Sequence, residues 1–355
     1  MTAATDFLVH KTALRETHFA PAETFVGDGQ ALLRLTRFAL TSNNVTYAAI
    51  GEQFGYWKFF PAAAPDGRVP VWGFADVAET RCAEVAVGER IWGYFPMASH
   101  LIVTPSQANA RGFVDGAAHR AGLPPVYNQY ERAAADPAYR PDQENEIALF
   151  RPLFTTGFLI DDFLGENAFF GASRVMLSSA SSKTALGLAK LLHDRGGVEV
   201  VGLTTASNAA FVRRTGFYHR VVAYDRLQDL PNDALALLVD MAGDARLIDR
   251  LADHLGDSFV YNCMVGRTHW DAGPAQAKGP ARTPFFAPDR VMKRHKDWGP
   301  QGFAERYAAA WRVFLTASAP WLKVVERQGE IAVRETWMAL LDGTSRPDEG
   351  YVLSL

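Results

Sequence analysis

The alternation of apolar and polar positions changes period near residue 150. Before it, Ala31-Leu-Leu-Arg-Leu-Thr-Arg-Phe-Ala-Leu40, Pro70-Val-Trp-Gly-Phe-Ala-Asp-Val-Ala-Glu-Thr80, Glu89-Arg-Ile-Trp-Gly-Tyr-Phe95 and Ser99-His-Leu-Ile-Val103 follow one another at turn-separated intervals. Successive side chains on a strand point to opposite faces, so this spacing predicts a compact β-barrel-like domain. Residues 111–150 interrupt it with Pro124-Pro125, Pro137, Pro141 and three tyrosines, Tyr127, Tyr130 and Tyr139. Aromatic rings need a surface to pack on, so the segment reads as a long excursion rather than a linker. A functional lid and a solvated insertion both fit it.

Beyond about residue 151 the apolar residues fall at helical spacing between short apolar runs. The pattern predicts helix 154–164, strand 174–178, helix 183–194, strand 198–204, helix 207–214, strand 220–224, strand 235–240, helix 244–255 and strand 257–265. Strands alternating with helices in this way indicate a doubly wound parallel sheet. A mixed pattern then resumes with helix 301–318, strand 322–327, helix 333–342 and a last strand, Gly350-Tyr-Val-Leu-Ser-Leu355. The expected parts are therefore 1–150, 151–290 and 291–355, with the last returning to the first.

Bulk properties narrow the function. Lys+Arg 36 against Asp+Glu 39, with no long basic run, argues against a nucleic-acid footprint. A content of 48% hydrophobic and 12% aromatic residues fits a well-packed enzyme. Cys82 and Cys263 stand far apart and form no Cys-x-x-Cys or Cys/His cluster, so neither a disulfide framework nor a zinc lobe is expected. No leader-like N-terminus and no apolar run of membrane length is evident, which makes a cytoplasmic protein without membrane contact the expectation.

The richest stretch is Arg174-Val-Met-Leu-Ser-Ser-Ala-Ser-Ser-Lys-Thr-Ala-Leu-Gly-Leu-Ala-Lys-Leu-Leu192, a strand, a turn of small hydroxylated residues and an amphipathic helix. That order is the first half of a nucleotide-binding βαβ unit, with phosphate at the helix N-terminus. Ser179, Ser182 and Ala185 stand at the spacing of a G-x-x-G-x-x-G turn. Small residues let a pyrophosphate approach the backbone, and Ser179, Ser181, Ser182 and Thr184 offer hydroxyls. An ordinary strand–turn–helix capped by Ser181 or Ser182 reads the same way. Lys183 in the first helical turn is mildly disfavoured by the helix dipole unless a phosphate sits there. The second strand ends Leu203-Thr204-Thr205-Ala206-Ser207-Asn208, without the acidic residue that takes a ribose hydroxyl in NAD-selective sites. Thr204, Thr205, Ser207 and Asn208 suit a 2′-phosphate instead, so NADP(H) is expected, although the same residues are common turn formers. Tyr218 is a candidate to pack on adenine or ribose.

Several segments together resemble the medium-chain dehydrogenase/reductase superfamily, closest to its zinc-independent quinone oxidoreductase-like branch and to the divergent group labelled DUF2855. Val87-Gly-Glu-Arg-Ile-Trp-Gly93 resembles the V-G-D-R-V-x-G turn of the GroES-like domain, and Ser179-Ala-Ser-Ser-Lys-Thr-Ala185 the G-A-S-G-G-V-G phosphate turn. Phe211–Tyr224 resembles the helix–L-G-A-D–strand segment, and Leu235–Gly243 resembles D-V-V-x-D-x-x-G. Phe259-Val-Tyr-Asn-Cys-Met-Val-Gly266 resembles the strand whose end meets the nicotinamide, which brings in Val265 and Gly266. The resemblance implies a GroES-like β-barrel-type catalytic domain joined to a Rossmann doubly wound parallel sheet domain.

It further implies that Thr41-Ser-Asn-Asn-Val-Thr-Tyr47 lines the cleft between the domains. Asn43, Asn44 and Tyr47 are then the catalytic candidates, with Asn44 and Tyr47 bonding a substrate carbonyl and Tyr47 or solvent giving the proton. A loop and helix start capped by Ser42 or Asn43 is the plainer alternative. Phe286 would help to wall the nicotinamide pocket, or be core. Where zinc-dependent relatives carry Gly-His-Glu this chain has Gly73-Phe74-Ala75, so no catalytic metal is expected.

The expected function is reduction of an enone, quinone or ketone by NADPH, with a small-molecule substrate as partner and a homodimer or monomer as the assembly. The alternative is a catalytically silent NADP-binding sensor or structural protein. No Tyr-x-x-x-Lys and no G-x-S-x-G occurs, which argues against short-chain dehydrogenases and serine hydrolases.

Overall fold

The structure is a computed structural model that describes residues 4–265 and 278–355. The chain divides into two compact units, one of residues 1–149 and 323–355 and the other of residues 150–322.

The first unit contains β1 (Thr5–His10), β2 (Thr17–Pro21), β3 (Ala31–Leu40), α1 (Ser42–Ala49), α2 (Gly51–Phe54), β4 (Asp66–Gly67), β5 (Pro70–Thr80), β6 (Arg90–Pro96), β7 (His100–Val103), β8 (Pro105–Asn109), β9 (Gly112–Asp115) and β10 (Gln129–Arg132). The helix α3 (Glu144–Glu166) carries the chain into the second unit. The second unit then holds β11 (Arg174–Leu177), α4 (Lys183–Arg195), β12 (Glu199–Thr204), α5 (Ala206–Arg214), β13 (Arg220–Ala223), β14 (Ala236–Asp240), α6 (Ala245–Leu255), β15 (Phe259–Met264), β16 (Arg282–Pro284) and α7 (Ala287–Ser318). The first unit is completed by β17 (Lys323–Gln328), α8 (Glu330–Leu341) and β18 (Glu349–Ser354).

In the first unit a large sheet runs β17-β18-β3-β5-β6-β10-β9-β8, with β7 on β3, beside a small sheet β2-β1-β4. The alternation in β3 and β5 places Leu33, Leu35, Val71 and Ala75 in one core with Phe7, Phe95 and Trp337. Gly88 turns the chain between β5 and β6 at φ 87°, in the left-handed region that glycine enters without steric cost.

The 111–150 segment is not a separate insertion. Its strands extend the sheet, Tyr130 is buried, and the Arg120 guanidinium pairs with Asp115 at 2.9 Å with both side chains almost fully buried. The proline-rich composition hid these strands because each is only four residues long.

The second unit is a six-stranded parallel sheet in the order β13-β12-β11-β14-β15-β16, the doubly wound arrangement. One face buries Met176, Val201, Leu238, Ile248 and Leu251. The helices α3 and α4 approach closely because a Cβ at Gly157 would lie 2.9 Å from the Leu188 backbone nitrogen, and one at Gly187 would lie 3.1 Å from the Phe154 ring. Phe303, Tyr307, Trp311 and Phe314 of α7, spaced by three or four residues, line the face that meets Phe154 and Phe158 of α3. That packing assigns α7 to the second unit, so the return to the first unit begins at Lys323, not at 291.

Candidate active site

The strands β11 and β14 are neighbours, and the chain leaves them toward opposite edges of the sheet. Ligands bind such doubly wound sheets at this switch point, outside the strand C-termini. Here the two departing turns are stitched together. Ser178 Oγ donates to Asp240 Oδ1 at 2.9 Å and accepts from the Met241 and Ala242 nitrogens at 2.8 and 3.0 Å. Asp240, with no solvent exposure, also accepts from the Ala242 and Gly243 nitrogens and from Arg282. Neither Ser178 nor Asp240 stood out in the sequence; the signal was a polar residue closing each of two apolar strands.

The turn after β11 is shaped by Ser179, at φ 48°. Its nitrogen donates to the Tyr224 hydroxyl at 2.7 Å, and the Ala180 nitrogen donates to the Leu203 carbonyl at 3.0 Å. Ser182 is the N-cap of α4 and accepts from the Ala185 nitrogen at 3.2 Å, so the capping reading of this serine holds. Ser181 Oγ receives the Asn208 amide at 3.1 Å, and Thr205 and Ser207 join hydroxyls at 2.9 Å. The structure thus brings Ser179–Thr184 and the end of β12 into one hydroxyl-rich rim. Thr205 and Ser207 are exposed on it, Thr204 is buried, and Lys183 and Thr184 form the first turn of α4.

The other cofactor candidates differ in kind. Tyr218 donates its hydroxyl to the Ala180 carbonyl at 2.8 Å, and a Cβ at Gly202 would lie 2.9 Å from its ring. It braces the turn, and burial pushes its phenol well above the ordinary range. Tyr224, whose burial likewise raises its phenol, is the residue at the rim that the sequence reading passed over. Val265 follows β15 and donates to the Asp240 carbonyl at 2.9 Å. Gly266 lies outside the described residues. Phe286 is 57% exposed at the start of α7, whereas Phe285 packs on Phe163.

In the first unit, Thr41 is the N-cap of α1, not Ser42 or Asn43. Asn44 is spent on the fold: its Oδ1 accepts from Thr41 N at 2.8 Å and from Thr41 Oγ1, and its Nδ2 donates to the Pro70 carbonyl at 2.8 Å. A substrate carbonyl would have to compete with that capping box for the Asn44 amide. Tyr47 is 8% exposed, with the Trp72 and Asn43 side chains beside its hydroxyl. Burial, reinforced by Tyr56, drives the Tyr47 phenol far upward, so the group is a neutral donor at any physiological pH.

The Gly73-Phe74-Ala75 stretch is occupied by aromatic packing. Phe74, 1% exposed, lies against Trp92 and Tyr139 with the Arg90 guanidinium over its ring at 5.2 Å. Arg90 pairs with Glu144 at 2.5 Å and with Asp76 at 2.8 Å. Burial pushes the Glu144 carboxyl up, but hydrogen bonds from Arg90 and Tyr139 outweigh it and hold the carboxyl below its usual range. Among the described residues no group of three His, Cys, Asp or Glu side chains could hold a metal ion, and no helix is long and apolar enough to cross a membrane.

Residues 38–346 match the profile of a family described as protein of unknown function, DUF2855. No curated protein sequence matches the chain. Its fold is shared with CurA from Vibrio vulnificus, solved alone and in complex with NADPH. The unliganded structure superposes with a TM-score of 0.61 at 12% identity, covering 99% of this chain and 98% of that one; the NADPH complex gives 0.60 at 13%, covering 99% of each. A quinone oxidoreductase from Coxiella burnetii superposes with a TM-score of 0.52 at 13% identity over the whole of both chains. The two-unit architecture, a strand-rich unit and a doubly wound unit, is therefore shared with these solved structures.

Proposed function

The chain belongs to the DUF2855 family, and we propose that it is an NADPH-dependent oxidoreductase that reduces an enone, quinone or ketone by direct hydride transfer without a metal. The observation that carries this reading is the rim at the switch point of the parallel sheet. There the N-terminus of α4, the hydroxyls of Ser179, Ser181, Ser182, Thr184, Thr205 and Ser207 and the Asn208 amide converge without a carboxylate at the end of β12. Helix N-termini and hydroxyl donors suit phosphate, and the absent acid suits a 2′-phosphate. The NADPH carried by the similarly folded CurA supports the same cofactor.

The donor set fits. The backbone at Ser181–Thr184 would take the pyrophosphate, Lys183 would add charge, and Thr205, Ser207 and Asn208 would hold the ribose phosphate. Tyr224 would give up its bond to the Ser179 nitrogen as phosphate arrives. The cofactor, when bound, supplies the hydride. Tyr47 would donate its hydroxyl to the carbonyl oxygen as negative charge builds there, aimed by Asn43. Its raised phenol makes it a poor acid, so the proton that completes the product, on the α-carbon of an enone or on the oxygen of a ketone or quinone, comes from solvent.

One observation favours a silent NADP-binding protein instead: the Ser179 nitrogen and the Ser182 hydroxyl are already engaged within the fold. Calorimetric titration with NADPH, followed by NADPH oxidation over a panel of enones, quinones and ketones, separates the readings. Tight binding without turnover on any of them would favour the silent protein, and no binding would remove both.

A further inference from the structure

The first unit gathers an unusual set of rings around Tyr47. The Tyr47 and Tyr56 ring centroids lie 4.5 Å apart, Tyr94 and Tyr127 4.7 Å, and Trp72 and Tyr94 4.9 Å. Tyr127 also lies 6.0 Å from Trp72 and 6.1 Å from Tyr56, with its hydroxyl close to that of Tyr56. Tyr47 and Tyr94 are buried, whereas Tyr56, Trp72 and Tyr127 are half-buried and keep part of their surface open. A cluster built for packing alone has no use for four phenols and an indole, because every one adds a polar group that must be satisfied.

One of them is not. Tyr94 has no solvent exposure, yet its hydroxyl has no hydrogen-bond partner among the described residues. A buried hydroxyl left without a partner is destabilising, so a fold that retains one has a use for it. A ligand oxygen would complete it, and the open surfaces beside it are flat and aromatic.

We propose that these residues form the substrate subsite of the reductase. They would bind a flat, ring-bearing conjugated ketone, with Tyr127 as the specificity-determining residue and Tyr94 as a donor to a ligand oxygen, directly or through one water. The inference rests on the reductase reading for its substrate class. Aromatic faces reward an offset or edge-on ring beyond the area it buries, and an alkyl chain gains no such term. Tyr127 comes from the 111–150 segment, so that stretch of chain would set specificity through the short turn before β10, packed on the sheet, and not as a lid.

The test pairs two enones that share the reacting group: benzylideneacetone, and an alkyl enone of similar size. With NADPH, the wild type should show the higher kcat/KM for benzylideneacetone. Tyr127→Leu should lower that value about tenfold, the upper end of one aromatic contact, and leave the alkyl enone and NADPH affinity within about twofold. Tyr127→Phe should keep the preference. Benzylacetone, titrated without cofactor, reads binding independently of turnover. Tyr94→Phe should weaken it while the melting temperature holds or rises, because that variant removes an unpaired polar atom. If Tyr127→Leu fails to fold, Tyr56→Leu takes its place in both assays. Equal loss on both enones, or benzylacetone binding untouched by Tyr94→Phe and by the ring variants, overturns the subsite. Benzylacetone binding that depends on these residues, without oxidation of NADPH by any carbonyl compound, sustains the subsite and removes the reductase.

Discussion

Ser178 Oγ and Asp240 Oδ1 lie 2.9 Å apart and join the ends of the two central strands where the doubly wound sheet changes direction. Five of the bonds around this pair involve neutral donors or acceptors in a buried setting, so losing one leaves others unpaired. Ser178→Ala should lower stability by ~1–3 kcal/mol and weaken NADPH binding with it. A urea midpoint and a cofactor affinity that both match the wild type would show that the stitch is dispensable.

Cofactor choice follows from the acid-free end of β12. NADPH should bind well above NADH in calorimetric titration, and Lys183→Ala should cost NADPH ~1–3 kcal/mol, the range for a bond to a charged group. Equal affinity for the two nucleotides would remove the argument from the missing carboxylate.

Asn44 and Tyr47 should separate cleanly although they sit one helical turn apart. Asn44→Ala breaks the capping box and should cost ~0.5–2 kcal/mol of stability with NADPH affinity intact. Tyr47→Phe keeps the ring and should lower kcat and kcat/KM together, by at most roughly 3–4 kcal/mol in barrier terms. Melting temperature measured beside steady-state rates assigns each change, and unchanged rates in Tyr47→Phe would retire it as the oxyanion donor.

Acid should loosen the clasp between α3 and α7. Glu166 is held by Lys293 at 2.7 Å, by Arg290 and by Arg294 at 3.1 Å, and these partners pull its carboxyl from an ordinary 4.5 down to about 2. Because the folded value is the lower one, the stabilisation is complete above the unfolded value and disappears as pH falls from about 4.5 through about 2. Thermal melts across that window should steepen for the wild type relative to Glu166→Gln, and identical profiles would show that the cluster contributes nothing.

The aromatic filling at Phe74 makes a simple statement about metal. Elemental analysis should find no stoichiometric zinc, and a chelator should leave turnover unchanged. Activity lost on chelation and restored by zinc would contradict it.

The sequence by itself determined the two architectures. Period-two runs such as 31–40 and 70–80 and helical runs such as 183–194 bury one face only, and a chain can satisfy them in few ways. The switch-point turn was legible too, because its small residues follow directly on an apolar strand and open a helix. What it could not supply was the partner of each polar group. Asn44 read as a catalytic amide until Thr41 and the Pro70 carbonyl, the latter 26 residues on, claimed its atoms.

Tertiary structure alone joined Ser178 to Asp240 across 62 positions of chain and drew Tyr127 onto Tyr56, Trp72 and Tyr94. It also moved the last boundary to Lys323, because the aromatic stripe of α7 packs on α3. The physical reason is the same in each case. Hydrophobic period is a local property that neighbouring residues write along the chain, whereas a hydrogen bond or ring contact is decided by which distant atom reaches that point first.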